Sequence, residues 1–225
     1  MTQNRPPKPH APASRCLRIL LATLLCVAAG PGRAEPLFAL DSAIGEARLT
    51  SWHNLIAQGR DADEDDKLEV VNDFINNAVA FGDDRDIWGM DEYWATPLQT
   101  LTRGRGDCED FAIGKYFTLV EMGVPSEKLR LTFVKALRRN QAHMVLAYYP
   151  TPTAQPLILD NLDRRIRPAA ERKDLLPVYA FNNHGIFLAK SPQQKSAQSP
   201  QLLSRWSDVS ARTLAEQARR LDDRG

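Results

Sequence analysis

At Arg103-Gly104-Arg105-Gly106-Asp107-Cys108-Glu109-Asp110 a turn punctuated by two glycines runs into a cysteine flanked by acids. Immediately afterwards Phe111, Ala112, Ile113, Tyr116, Phe117, Leu119 and Val120 recur at helical spacing. The pattern predicts a core helix with Cys108 at its N-terminus, and Gly123, Val124 and Pro125 stop that helix. Free backbone N–H groups and the positive end of the helix dipole favour a thiolate at such a position, which suits a nucleophile.

The cysteine is informative because processing is expected to leave it alone. The first 34 residues carry Arg5, Lys8, Arg15, Arg18 and Arg33 and no acid, then an apolar run over 19–29, then Gly32 and Ala34 at the two positions a signal peptidase reads. Residues 1–34 are therefore expected to be a cleaved signal peptide, leaving no membrane span. The apolar run is short for a bilayer, and Leu24 and Leu25 before Cys26 do not suit a lipoprotein site. Cleavage removes Cys16 and Cys26, so no internal disulfide remains. A lone thiol in an oxidising compartment is either buried and inert or kept for its reactivity. Five of the 29 basic residues leave as well. The 24 that remain face 28 acids, a net charge of −4 that gives no reason to expect nucleic acid or an anionic membrane as partner. A chain of 225 residues, 43% hydrophobic, has room for one good core and not for two large domains.

Before the cysteine, Asp41 and Ser42 can cap a helix with an apolar stripe at Leu49, Trp52, Leu55 and Ile56, ending near Gly59. A second helix starts in the cluster Asp61, Asp63, Glu64, Asp65, Asp66, which complements the dipole and lacks the ligand spacing and central glycine of an EF-hand. Its buried face is Leu68, Val71, Phe74, Ile75, Ala78 and Val79. Residues 82–94 are expected to be irregular, with Trp88, Tyr93 and Trp94 either packing on the core or lining a groove. After the cysteine, strands are predicted at 130–137 and 142–149 with a polar turn between them, at 157–160, and at 178–181 with 185–189. Residues 35–190 thus read as one domain. Residues 191–225 are expected to be a Ser-, Gln- and Pro-rich linker followed by a loosely attached helical tail at 202–221 carrying Trp206.

On the second strand of the hairpin Ala142, Met144, Leu146 and Tyr148 alternate with His143, Val145, Ala147 and Tyr149, so His143 takes a definite face; Asp160 ends the neighbouring strand. Cysteine at a helix start, histidine on a strand and a carboxylate on the next strand is the arrangement a thiol protease needs. The thiolate attacks a carbonyl, the imidazole takes and returns the proton, and the carboxylate holds the imidazole in its productive tautomer. His184 is the competing base, but it sits in the turn Asn182-Asn183-His184-Gly185 with no carboxylate following on a neighbouring strand.

The runs Tyr93-Trp94-Ala95-Thr96-Pro97-Leu98, Gly104-Arg105-Gly106-Asp107-Cys108-Glu109-Asp110-Phe111, Ala142-His143-Met144-Val145-Leu146 and Leu159-Asp160-Asn161 resemble the bacterial transglutaminase-like cysteine proteinases, the LapG-type adhesin proteases, over roughly residues 52–189. The resemblance and the elements together give an α+β fold: a transglutaminase-like (papain-like) core in which the nucleophile's helix packs on an antiparallel sheet, preceded by two helices. The resemblance implies a periplasmic, calcium-dependent protease that clips the N-terminal region of a large surface adhesin and so releases the cell from a biofilm. It implies as partner an inner-membrane cyclic-di-GMP receptor whose periplasmic domain sequesters the protease. The family's nucleophile falls on Cys108, its base on His143, its orienting acid on Asp160, and its calcium ligands on Asp107 and Glu109, with Asp110 as a further ligand.

Read from the residues alone, those three acids have two explanations. Asp107 can cap the helix, and Glu109 and Asp110 are favourable in its first turn. Yet carboxylates beside a thiol oppose its ionisation, and a bound hard cation would remove that opposition. Two other functions also fit the residues. One is a protein-crosslinking transglutaminase, which shares the acyl-enzyme. The other is a calcium-binding interaction module with an inert thiol.

Overall fold

The computed structural model describes residues 35–188, 191–196 and 200–222; the expected signal peptide lies outside them. Helix α1 (Glu35–Gly59) ends where expected and begins upstream of the Asp41 cap. Its Trp52 is buried and donates from Nε1 to Thr118 Oγ1 at 2.9 Å. Helix α2 (Glu64–Ala78) opens at Asp63, whose carboxylate accepts from the Asp66 N–H at 2.9 Å. The segment expected to be irregular is more ordered than its composition suggests. Residues 82–94 hold the short helix α3 (Asp84–Trp88), and they are flanked by a two-residue strand β1 (Ala80–Phe81) and the helix α4 (Pro97–Arg103). Thr96 and Gln99 close a capping box on α4 with Pro97 inside its first turn, and Gly104 ends it at φ 66°, a left-handed conformation that glycine adopts at no steric cost. Strand β2 (Arg105–Gly106) pairs in parallel with β1 and leads into α5 (Cys108–Glu121).

Next come strands β3 (Leu129–Ala136), β4 (Gln141–Tyr148), β5 (Leu157–Leu159), β6 (Arg167–Pro168), β7 (Leu175–Asn182), β8 (Gly185–Leu188) and β9 (Ser191–Ser196), followed by helix α6 (Pro200–Asp222). The strands lie in the order β6-β5-β4-β3-β7-β8-β9, with every pair antiparallel. Along β4 the alternation sends Met144, Leu146 and Tyr148 into the main core with Phe111, Ile113, Tyr116 and Leu119 of α5. Val145 and Ala147 join Val134 and Ile158 in a separate, smaller cluster. The fold is α+β, as the sequence predicts.

Three expectations are corrected. Strand β7 begins at Leu175, not at 178, because a register shift between Phe133 and Val134 pairs Val134 with Pro177 and leaves Val178 unmatched. The bulge takes up Val178 and falls beside Pro177, which has no N–H to give the ladder. Residues 191–196, expected as linker, form β9 and pair with β8. The tail is not loose. Trp206 is 4% exposed and its ring centroid lies 5.1 Å from Tyr116, 5.5 Å from Phe117 and 5.6 Å from Phe181, while Val209 is fully buried.

Candidate active site

The turn that delivers Cys108 is tied down by Asp110. One oxygen of its carboxylate accepts from the Ala95 N–H at 2.9 Å and the other from the Asp107 N–H at 3.4 Å. Gly106 lies so close to this carboxylate that an added Cβ would come within 2.8 Å of Oδ2, so the position has no room for a side chain. Asp107 occupies the N-cap in extended conformation, yet its Oδ1 is buried without a hydrogen-bond partner. Asp107 and Asp110 form a reciprocal capping box at the start of α5, as expected of Asp107, and one oxygen of Asp107 is left over.

Cys108 opens onto a cleft of about 450 Å³ that it shares with His143 and Met144 of β4, Trp94, Phe133 and Tyr179. His143 is buried opposite Val134, and its Nε2 lies 2.7 Å from Asp160 Oδ1. Asp160, itself 1% exposed, also accepts from Arg172 Nη2 at 2.7 Å on Oδ2 and from the Leu162 N–H at 3.0 Å on Oδ1. Its backbone carbonyl accepts from Asn76 Nδ2 of α2 at 2.9 Å. Burial works to raise the Asp160 carboxyl, but the bonds from His143, Leu162 and Arg172 outweigh it and hold the group well below the ordinary carboxylate range. Asp174 completes the set by pairing with Arg172 at 3.0 Å. His184 lies elsewhere, in the β7–β8 turn against Ser126 Oγ at 3.0 Å.

Four carboxylates gather on the cysteine side. Ligand atoms of Asp107, Cys108 and Glu109 lie within 4.8 Å of one another, and so do those of Asp84, Asp107 and Asp110. Burial, then the charges of Glu109 and Asp110, push Asp107 up to about 10; burial with Glu109 and Asp84 pushes Asp110 up to about 8; burial with Glu109 raises Asp84. The thiol is driven upward too, by burial and by the charges of Glu109 and Asp107, and it donates to Glu109 Oε2 at 3.1 Å. Among the described residues none of the four acids has an ion-pair partner. The arginines lining the cleft are engaged elsewhere, Arg85 with Asp91 and Arg205 with Glu92.

Of the residues the sequence singles out, the structure brings Cys108, His143, Asp107 and Glu109 to one cleft, with Asp110 buried beneath the turn and Asp160 bonded to His143; sequence reasoning misses Asp84, Arg172 and Asn76. Asp84 is one of several acids in a segment with no periodicity. Arg172 follows Arg164, Arg165 and Arg167, and nothing local marks which arginine turns inward. Of the three aromatics, Trp94 takes both expected roles, whereas Trp88 and Tyr93 are not among the residues that line this cleft. Trp94 is buried, stacks on Phe181 at 5.7 Å and also lines the cleft; Trp88 and Tyr93 are half-buried, with ring centroids 4.9 Å apart.

The model of the family "bacterial transglutaminase-like cysteine proteinase BTLCP" matches residues 51–174, more than half of the chain. Among solved structures, calcium-bound LapG of Legionella pneumophila matches with a TM-score of 0.68 and 42% identity, over 79% of this chain and 97% of that one. Legionella pneumophila LapG treated with EGTA matches with a TM-score of 0.68, and a further LapG structure with 0.66, each at 42% identity over 80% of this chain and 96% of the other. No curated protein sequence matches the chain. With the fold, the cysteine-bearing turn and the family match in agreement, the chain belongs to the bacterial transglutaminase-like cysteine proteinases.

Proposed function

We propose that the protein is a periplasmic, calcium-dependent cysteine endopeptidase that cleaves the N-terminal region of a large surface adhesin, releasing cells from a biofilm. The observation that carries this reading is the cleft that Cys108, at a helix start, shares with His143, whose Nε2 is held by Asp160, a carboxyl kept well below the ordinary range. With Nε2 bonded to Asp160, the proton of the neutral imidazole sits on Nε2, and Nδ1 carries the lone pair that takes the thiol proton. The thiolate attacks the scissile carbonyl, and the backbone N–H of Cys108 at the start of α5 faces the oxyanion. The imidazolium then returns its proton to the leaving amine. Water, activated by the same base, hydrolyses the thioester and regenerates the thiol. Arg172 keeps Asp160 charged throughout.

The carboxylate cluster fits a hard, oxygen-seeking cation. Asp84 Oδ1 and Asp107 Oδ1 are both buried and without partners, and the acids repel one another. Asp107, Glu109 and Asp84 would hold the ion, with Asp110 contributing lone pairs beyond those it gives to backbone N–H groups. A bound calcium ion offsets the negative charge that opposes ionisation of Cys108. Calcium-bound LapG of Legionella pneumophila, similar over most of this chain, supports that choice of ion.

Among the described residues no helix is long and apolar enough to cross a membrane. Periplasmic location rests on the basic and apolar leader. Control by the periplasmic domain of an inner-membrane cyclic-di-GMP receptor belongs to the same reading; Trp88 and Tyr93 stay available for such contact, whereas Trp94 is buried. The test is to incubate the mature protein with the N-terminal region of a large exported adhesin from the same cell. One discrete cut, lost in Cys108→Ala and in chelator, is expected. Products of higher mass would point to crosslinking instead, and a thiol that small alkylating reagents do not reach would point to a non-catalytic module.

A further inference from the structure

Helix α6 lies outside the stretch the family model covers, yet it reaches into the wall of the cleft. Arg212 Nη2 donates to the Trp94 carbonyl at 2.6 Å, and Nη1 donates to Gln99 Oε1 at 2.9 Å and to the Tyr93 hydroxyl at 3.2 Å. The guanidinium also lies over the Tyr93 ring, 5.1 Å from its centroid. The N–H of that same Trp94–Ala95 peptide bond donates to Asp110 on α5 at 2.9 Å. One peptide group is therefore pinned from both sides, its oxygen by α6 and its N–H by the helix that carries the nucleophile. The Trp94 side chain at this point lines the cleft beside Cys108.

We propose that Arg212 is a positioning residue for substrate binding: it clamps the Tyr93–Ala95 wall of the cleft against α5, so that a peptide is held at a fixed distance from Cys108. The docking of α6 does not depend on this arginine. Trp206 and Val209 are already buried in the core, and Arg220 pairs with Glu121 of α5 at 3.1 Å. What Arg212 adds is directed at the wall, through a charge-assisted fork that orders a segment with no strand partners of its own. The proposal rests on Cys108 being the protease nucleophile.

The experiment compares two thiol reagents on the calcium-loaded mature protein, followed by intact mass. Benzyloxycarbonyl-Phe-Ala fluoromethyl ketone must seat a peptide against the wall before it reacts; iodoacetamide needs only the thiol. Arg212→Ala is expected to raise the inhibition constant of the peptidyl reagent about tenfold, the effect of one lost charge-assisted hydrogen bond. Its limiting inactivation rate and the iodoacetamide rate stay within about twofold. Arg212→Lys, which keeps one donor for the Trp94 carbonyl, falls between and covers the case in which the alanine variant does not fold. Asp208→Ala removes the partner of Arg212 on α6 itself, at 2.9 Å, touches no residue of the wall, and behaves as wild type. An unchanged inhibition constant in Arg212→Ala overturns the clamp. So does an equal loss with both reagents, or an equal loss in Asp208→Ala. A wild-type thiol that iodoacetamide alkylates but the peptidyl reagent does not overturns the protease reading itself, and the clamp with it.

Discussion

On the His143 side of the cleft, Asp160 is surrounded by donors: the imidazole, the Arg172 guanidinium and the Leu162 N–H all point at its two oxygens. On the Cys108 side, Asp84, Asp107, Glu109 and Asp110 crowd together with no basic partner among the described residues, and two of their oxygens are buried without a hydrogen bond. The first arrangement is electrostatically complete within the chain. The second is not, and it surrounds Cys108, the nucleophile of the proposed mechanism. A buried carboxylate without partners costs free energy that folding does not recover locally. In the proposed mechanism the contrast says where a bound cation would act: on Cys108 and its turn, not on His143 and Asp160.

The sharpest break of that contrast is removal of calcium. Chelation should lower cleavage by two orders of magnitude or more, on the order of what an active-site electrostatic group contributes. It should also slow alkylation of Cys108 by iodoacetamide at neutral pH, because the thiol is driven further from ionisation. Added calcium restores both, and magnesium restores little, since it gives up its waters reluctantly. Asp107→Ala and Asp84→Ala should each mimic chelation, and combining either with chelator should add little. Full activity in excess chelator would remove the difference between the two sides.

A smaller effect is expected from the complete side. Arg172→Ala leaves the buried Asp160 charge short of its guanidinium partner and strands Asp174, so unfolding free energy should fall by about 3–5 kcal/mol. The loss should be the same with calcium or chelator present, as measured by urea denaturation in both. A loss that calcium relieves would mean that the two sides are one coupled network.

How much of this was legible in the sequence follows the same division. Cys108 and its acids announce themselves because turn, cap and apolar periodicity coincide within a few residues, and the alternation on β4 gives His143 a definite face before any coordinates. The helix α4 was legible too, in Thr96-Pro97-Leu98-Gln99, since a capping box with proline in the first turn marks a helix start; the aromatic segment just before it draws attention away. The attachment of α6 was not. The segment is polar on average, its buried face of Trp206, Val209 and Thr213 is narrow, and its anchors, Arg212 and Arg220, look in sequence like an ordinary solvated face. Arg172 was hidden for a related reason: an ion pair between strand ends depends on tertiary placement, which no local period encodes. The start of β7 was hidden because Pro177 breaks the usual strand pattern, and the neighbouring bulge at Val178 that accommodates it depends on pairing with β3.

The finest test of the contrast is the response of the complete side to acid. The folded carboxyl of Asp160 is held well below the ordinary value of about 3.9 that it takes when unfolded. Between those two values the unfolded chain binds a proton that the native protein refuses. The stability Asp160 supplies is therefore fully present above about pH 4 and is lost as pH falls through the lower, folded value. A carboxylate of this kind contributes on the order of 2 kcal/mol at neutral pH. Asp160→Asn removes the titration and keeps one carbonyl oxygen that can accept from His143, while its amide NH2 meets the Arg172 donor in place of the second carboxylate oxygen, and some activity should survive. Urea denaturation of both proteins at pH 7, 5 and 3 should show a stability gap that is constant from pH 7 to 5 and narrows at pH 3. Glu64, Asp163 and Asp174, whose carboxyls are also lowered by partners, titrate in both proteins and largely cancel from the difference. A gap that stays constant down to pH 3 would show that the charge of Asp160 does not stabilise the fold, and that its donors serve only to aim His143.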